Sequence, residues 1–217
     1  MLSTVRRPVK PPRRYDASGR QAAAARTREA VLTAAREVFL DRGYTATTMA
    51  AISQHAGVAL DTVYAAIGRK PTLFRELVET AISGQNTAVP AEERDYVRAI
   101  RAEPDPRRKL DIYAAAIAPI QDRLAPLVAL ARDAASAEPE LARLWGEIAA
   151  RRAANMRLLA VNLAESGGLR VEVEEAADVI WATNSPELYL LLVRDRGWEL
   201  SRYRSWLAET WKRLLLA

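Results

Sequence analysis

After Ala22 and almost to the C terminus, the apolar residues of this 217-residue chain return at the spacing of a helix face. Val31, Ala34, Ala35, Val38 and Phe39 fall at i, i+3, i+4, i+7 and i+8, which places all five on one stripe. No alternating β-branched run is long enough for a strand, and Val171-Glu172-Val173 is too short to count. Such a chain buries its apolar surface helix against helix, so the expected class is all-α. Half of the residues are hydrophobic (50%), enough to furnish a core and exclude wholesale disorder.

Glycine, proline and hydroxyl residues divide the helical pattern. Asp41-Arg42-Gly43 closes the first helix, with Gly43 suited to a left-handed position past its end. Thr47 is the expected N-cap of a short helix from Thr48 to about His55. Gly57 marks a tight turn, and a second short helix follows from about Leu60 to Ile67. Gly68-Arg69-Lys70 breaks it, and Pro71 fits the first turn of the next helix. Ser83 to Pro90 reads as a boundary between two units. Downstream, helices are expected at about 92–101, from 107 past 117, at 124–137 with Pro126 in the first turn, and at 139–165. Two more follow: one from about Glu174 to Arg194, interrupted at Ser185-Pro186, and the last from Ser201 to Leu216.

Two short helices joined at a glycine behind an amphipathic helix form a helix-turn-helix pattern. Many purely structural helix pairs also turn at glycine, so the spacing leaves a DNA-reading motif and a plain hairpin both open. The stretch from Arg26 to Thr80 resembles the DNA-binding domain of TetR-type transcriptional regulators. Gly43-Tyr44, Thr47-Thr48, Ala56-Gly57-Val58, Thr62-Val63-Tyr64 and Lys70 before Leu73 carry the resemblance, in order and in spacing. It implies an N-terminal three-helix helix-turn-helix domain and a C-terminal helical domain for effector binding and dimerisation. The expected boundaries are a basic arm over 1–22, the DNA-binding domain over 23–83 and the effector domain over 84–217. It also implies a repressor that leaves its operator when a small molecule binds. The competing reading is a helical adaptor with a structural helix-turn-helix and no specific DNA target.

The resemblance assigns Thr48, Tyr64 and Lys70 to DNA phosphates, for which hydroxyl, ammonium and helix N-terminus are suited. Ala50, Leu60, Asp61, Thr62 and Ala65 occupy positions that can face the groove. None of these five is Arg, Asn or Gln, so bidentate reading of guanine or adenine from them is unavailable. Asp61 has two readings: an acceptor for cytosine N4, or a first-turn acid favoured by the helix dipole. Ala59 stands where the family often has a Ser or Thr cap, and Ala66-Ile67 replaces an aromatic pair.

Affinity must then come from elsewhere, and the charge distribution suggests where. The whole chain has a net charge of +5, but residues 1–28 hold eight basic residues against Asp16 alone. That segment is therefore +7 and the remainder −2. Arg6, Arg7, Lys10, Arg13, Arg14 and Arg20, among Pro8, Pro11 and Pro12, are expected to form a mobile arm that orders on DNA. A merely solubilising tail is the alternative.

The resemblance also implies a homodimer on a roughly palindromic double-stranded operator, built from the last two long helices. Trp181, Leu188, Leu191 and Leu192 on one, and Trp206, Trp211, Leu214 and Leu215 on the other, offer the apolar surface, unless intrachain packing claims them. An effector pocket would be lined by Tyr113, Ile117, Ile120, Leu127, Trp145, Met156 and Leu159, although such stripes also make ordinary core. With few polar groups among them, the expected effector is hydrophobic or aromatic.

Zero cysteines exclude a disulfide framework, a thiolate zinc site and a cysteine nucleophile, and a single histidine, His55, excludes a His-cluster metal site. Glu92-Glu93 and Glu174-Glu175 are acidic pairs near helix starts, and Glu165-Ser166-Gly167-Gly168 is a helix stop that fits neither phosphate-cradling pattern. No enzyme, cofactor or metal is expected. No apolar run reaches the roughly 18–20 residues of a membrane span, and the basic N terminus lacks the apolar stretch of a secretory signal. A cytoplasmic, nucleoid-associated protein is the expectation.

Overall fold

The structure, a computed structural model, describes residues 17–85 and 89–217. Four helices make an N-terminal head: α1 (Ala17–Ala46), α2 (Met49–Ala56), α3 (Leu60–Ile67) and α4 (Lys70–Ser83). After a single 3-10 turn, Ala91–Glu93, the body contains α5 (Asp95–Ala102), α6 (Pro106–Ala134), α7 (Pro139–Glu165) and α8 (Val173–Thr183). It closes with α9 (Pro186–Tyr189), which runs on as π-helix over Leu190–Asp195, and α10 (Leu200–Leu215). No strand occurs among the described residues, only an isolated bridge from Leu169 to Leu216.

The break at Gly43 shapes the head. Its φ of 78° and ψ of 167° interrupt the regular winding of α1, in a region that side chains rarely enter. Tyr44 thereby folds back onto Phe39, with ring centroids 5.5 Å apart. Phe74 of α4 meets both rings edge-on at 5.2 Å, closing an aromatic core with Val31, Val38, Ile52, Val63 and Leu77. Thr47, expected to cap α2, is buried and donates to the Gly43 and Val38 oxygens instead. The cap is Thr48, whose Oγ1 accepts from the Ala51 N–H at 3.1 Å. Of two adjacent threonines, the one turned outward was free to cap.

α6 lies at the centre of the body and packs against α1, α4, α5, α7, α9 and α10. Two helices were expected over this stretch, the second opening at about Leu124 with Pro126 in its first turn; the structure has one, with Pro119 and Pro126 inside it. Proline costs a helix one hydrogen bond, but Leu124, Ala125, Pro126, Leu127 and Val128 are all buried, and that packing carries the helix through. As a single element α6 is long and apolar enough to cross a membrane, yet 61% of its most apolar window is buried inside the protein. Its length is that of a core helix.

α1 and α4 both dock on α6. Arg36 donates to the Arg123 oxygen at 2.9 Å, while Arg123 Nε donates to the Ala81 oxygen at 3.0 Å near the end of α4. The expected interruption at Ser185-Pro186 is present: Ser185 Oγ caps α9 by accepting from Leu188 N–H at 3.1 Å. At the far end, Arg170 N–H donates to Leu215 O and Ala217 N–H to Gly168 O, both at 2.9 Å, tying the last residues to the α7–α8 turn.

Candidate nucleic-acid interface and body cavity

Helices α2 and α3 meet at Gly57, whose φ of 66° lets its N–H and that of Val58 return to the Gln54 and Ser53 oxygens. α3 then seats Val63 and Ile67 in the head and turns its other side outward. Leu60, Asp61, Tyr64 and Ala65 are exposed at i, i+1, i+4 and i+5, one face of the helix; Thr62 is half-buried at its edge. Ala50 and Thr48 are exposed at the start of α2. Tyr64 is 45% exposed, so its phenol is no core aromatic. Ala59 supplies no side-chain cap to α3, so first-turn N–H groups keep their partial positive charge, which Asp61 opposes.

Lys70 opens α4 beside this face. Its Nζ stands 4.2 Å from the centre of the Tyr44 ring and donates to the Thr45 oxygen at 3.4 Å. Desolvation there lowers its pKa from the usual lysine value, and burial raises Tyr44 to about 12. Arg28, counted with the basic N-terminal segment, staples α1 to the Ala66 oxygen and to Glu76 of α4. His55 pairs with Glu37 at 2.6 Å; residues 18 positions apart gave no sequence signal for it. Of the arm residues only Arg20 is described, and it lies in α1, which takes in residues 17–22 of the expected arm. Arg6, Arg7, Lys10, Arg13 and Arg14 lie outside the described residues.

The body holds a partly open cavity of about 730 Å³ between α4, α5, α6 and α7. Tyr113, Ile117, Ile120, Met156 and Leu159, five of the residues named for an effector pocket, line it. Leu127 and Trp145 do not: Leu127 is fully buried in the core, and Trp145 packs half-buried against that core. The expectation that the lining holds few polar groups also needs correcting. Gln121, Asn184, Arg152 and Asn155 reach the wall, and Gln121 and Asn184 hydrogen-bond each other across 63 positions. Asn184 sits in the break between α8 and α9, and its main-chain oxygen accepts from the side chains of Gln121 and Arg152. Burial raises the Tyr113 hydroxyl well above its usual pKa and lowers that of Arg152.

Two ion pairs connect the head to the wall. Arg151 of α7 meets Glu79 of α4 at 2.8 Å, and both line the cavity; Arg75 of α4 pairs with Glu147 of α7 outside it. Among the residues expected at a dimer interface, Trp181, Leu191 and Leu214 are exposed, while Leu188, Leu192 and Trp206 are half-buried. Trp211 is not on the surface. It is fully buried, donates from Nε1 to Thr183 Oγ1 at 2.6 Å and lies 5.3 Å from the Tyr113 ring. Leu215 is likewise buried in the core. No cluster of three or more metal-ligating side chains occurs among the described residues.

The fold and this exposed helix pair define an all-α protein with a helix-turn-helix head on a larger helical body. Residues 31–77 match the profile of the bacterial regulatory proteins of the tetR family, a match confined to the head. The HTH-type transcriptional repressor BepR of Brucella suis is 39% identical over 61 residues, a match spanning 28% of this chain and 29% of that protein. Over the whole fold, NalD, the secondary repressor of the MexAB-OprM multidrug efflux pump in Pseudomonas aeruginosa, superposes with a TM-score of 0.66 at 22% identity. That superposition covers 90% of this chain and 98% of NalD. A structure from Saccharomonospora viridis, described as a transcriptional regulator in complex with choline, gives 0.65 at 15% identity, covering 89% and 99%.

Proposed function

We propose that the protein is a sequence-specific transcriptional repressor that binds a roughly palindromic operator as a homodimer and leaves it when an apolar small molecule enters the body cavity. The observation that carries this reading is the outward face of α3. Leu60, Asp61, Tyr64 and Ala65 serve no packing purpose there, and they stand at the end of a helix-turn-helix whose other face closes the head. Tyr64, Lys70 and the start of α2 at Thr48 suit phosphates; Leu60 and Ala65 suit thymine methyls. Sequence discrimination by apolar contact is weak, so the basic residues ahead of α1 supply much of the affinity by releasing counterions. Such a regulator works in the cytoplasm, where its operator is.

Release follows from the shared wall. Glu79 belongs both to α4, the last helix of the head, and to the cavity, and it is held by Arg151 of α7. A ligand that shifts α7 moves α4 with it and changes the spacing of the two α3 helices in a dimer, which must match successive major grooves roughly 34–36 Å apart. Selection of genomic fragments by the purified full chain, followed by footprinting, tests the function. Protection of a two-fold-symmetric site at moderate salt is expected. Binding without sequence preference, or none, would favour the helical adaptor.

A further inference from the structure

The cavity is lined by apolar and by charged side chains, and at one buried end its hydrogen bonds all run in one direction. Gln121, 1% exposed, donates from Nε2 to the Asn184 main-chain oxygen at 2.7 Å and to Asn184 Oδ1 at 2.8 Å. Asn184 donates from Nδ2 to the Tyr113 hydroxyl at 2.7 Å, and that hydroxyl donates to Met156 Sδ at 3.2 Å. Arg152 donates from Nη2 to the same Asn184 main-chain oxygen at 2.8 Å. That oxygen can only accept, so the Gln121 amide cannot be turned round without setting its own oxygen against two others. Both amide hydrogens of Gln121 are therefore used. Gln121 Oε1 remains buried with no hydrogen-bond partner among the described residues. Folded proteins seldom leave such an acceptor unpaired, and here it belongs to a residue of the cavity wall.

Charge decides which kind of donor fits. Arg152 stacks over the Trp181 ring at 5.2 Å and shares the Asn184 oxygen with Gln121. The other charges of the wall balance, with Glu79, Glu92 and Glu165 against Arg94, Arg101 and Arg151, and among the described residues no carboxylate forms an ion pair with Arg152 itself. An ammonium ligand would face that guanidinium. A carboxylate has no proton to give and would set its charge against Gln121 Oε1. A neutral group bearing N–H or O–H gives its proton to Gln121 Oε1 and can turn its own oxygen toward the guanidinium. Ile100, Ile117, Ile120, Leu124 and Leu159 leave apolar wall for the rest of such a molecule.

We propose that the cavity selects a neutral apolar amide or alcohol, held at its buried end by donation to Gln121 Oε1. This rests on the reading of the cavity as the effector site. Calorimetric titration of the full chain with octanamide, N,N-dimethyloctanamide, octanoate and octylammonium tests it. Octanamide should bind at least about tenfold more tightly than its dimethyl counterpart, which keeps the carbonyl but lacks the donor. The Gln121→Met variant, its folding checked by thermal melting, should bind the two amides alike. The wild-type comparison needs no variant. Equal binding of the two amides by the wild-type protein, or tightest binding of octanoate or octylammonium, overturns the proposal while leaving the cavity a ligand site. If none of the four binds, the effector reading itself fails, and this proposal with it.

Discussion

Gly43 and Tyr44 show how much of the head depends on two adjacent residues. With φ at 78° and ψ at 167°, Gly43 occupies backbone space that is essentially closed to side chains, although nothing lies within 4 Å of where a Cβ would stand. Gly43→Ala should therefore destabilise the protein by about 1–3 kcal/mol through backbone strain alone, read as a shift in the urea midpoint at unchanged slope. Tyr44 makes a second prediction. Burial raises its pKa from 10.0 to about 12, so the folded state keeps a proton that the unfolded state gives up first. Its contribution to stability is whole below pH 10 and is lost as pH climbs toward about 12. Tyr44→Phe, which retains the stacked rings, should make the loss of stability across that interval less steep in denaturation series at increasing pH. An unchanged pH profile would mean that the phenol is already solvated in the fold.

At the level of elements, α3 and α6 differ in how far local order determines them. α3 is short and bounded by Ala59 and Gly68, and its outward face is legible because Val63 and Ile67 are the residues a small head must bury. The Tyr64 hydroxyl on that face is expected to meet a phosphate rather than a base. Tyr64→Phe should weaken binding to every operator variant by about 1 kcal/mol, with the order of preferred sequences unchanged in competition gel shifts. A reordered preference would show that Tyr64 reads bases. In α6, by contrast, Pro126 resembles a helix start and suggests a division that the fold does not make. Local signals rank proline correctly as a helix breaker but carry no information about five consecutive buried residues on a helix surrounded by others.

For the whole molecule, the proposed function makes charge and symmetry the terms that decide binding to DNA. The five basic residues of positions 1–16 sit ahead of a head that is nearly neutral: from Glu29 to Pro90 there are five basic and six acidic side chains. Removing residues 1–16 should lower operator affinity and flatten its dependence on salt by roughly 0.9 log unit for each phosphate no longer neutralised. A slope identical to that of the full chain would assign those residues to solubility alone. Leu191 and Leu214 are 52% and 42% exposed and, with the exposed Trp181, offer an apolar surface suited to a second copy. On the proposed homodimer, Leu191→Glu should leave only monomer in sedimentation experiments and weaken operator binding with it, since an unpaired charge in an apolar interface is strongly unfavourable.

The sequence alone was sufficient for the helical class and for the helix-turn-helix pattern. These are consequences of period and punctuation, which act over a few residues. Tertiary structure decided the rest. It set Trp211 in the core beside Thr183 and Tyr113 and kept α6 continuous. It also joined Gln121 to Asn184 at the buried end of the cavity. Each of those outcomes depends on partners tens of residues away, and hydrogen bonding and burial at that range leave no pattern in the local order of side chains.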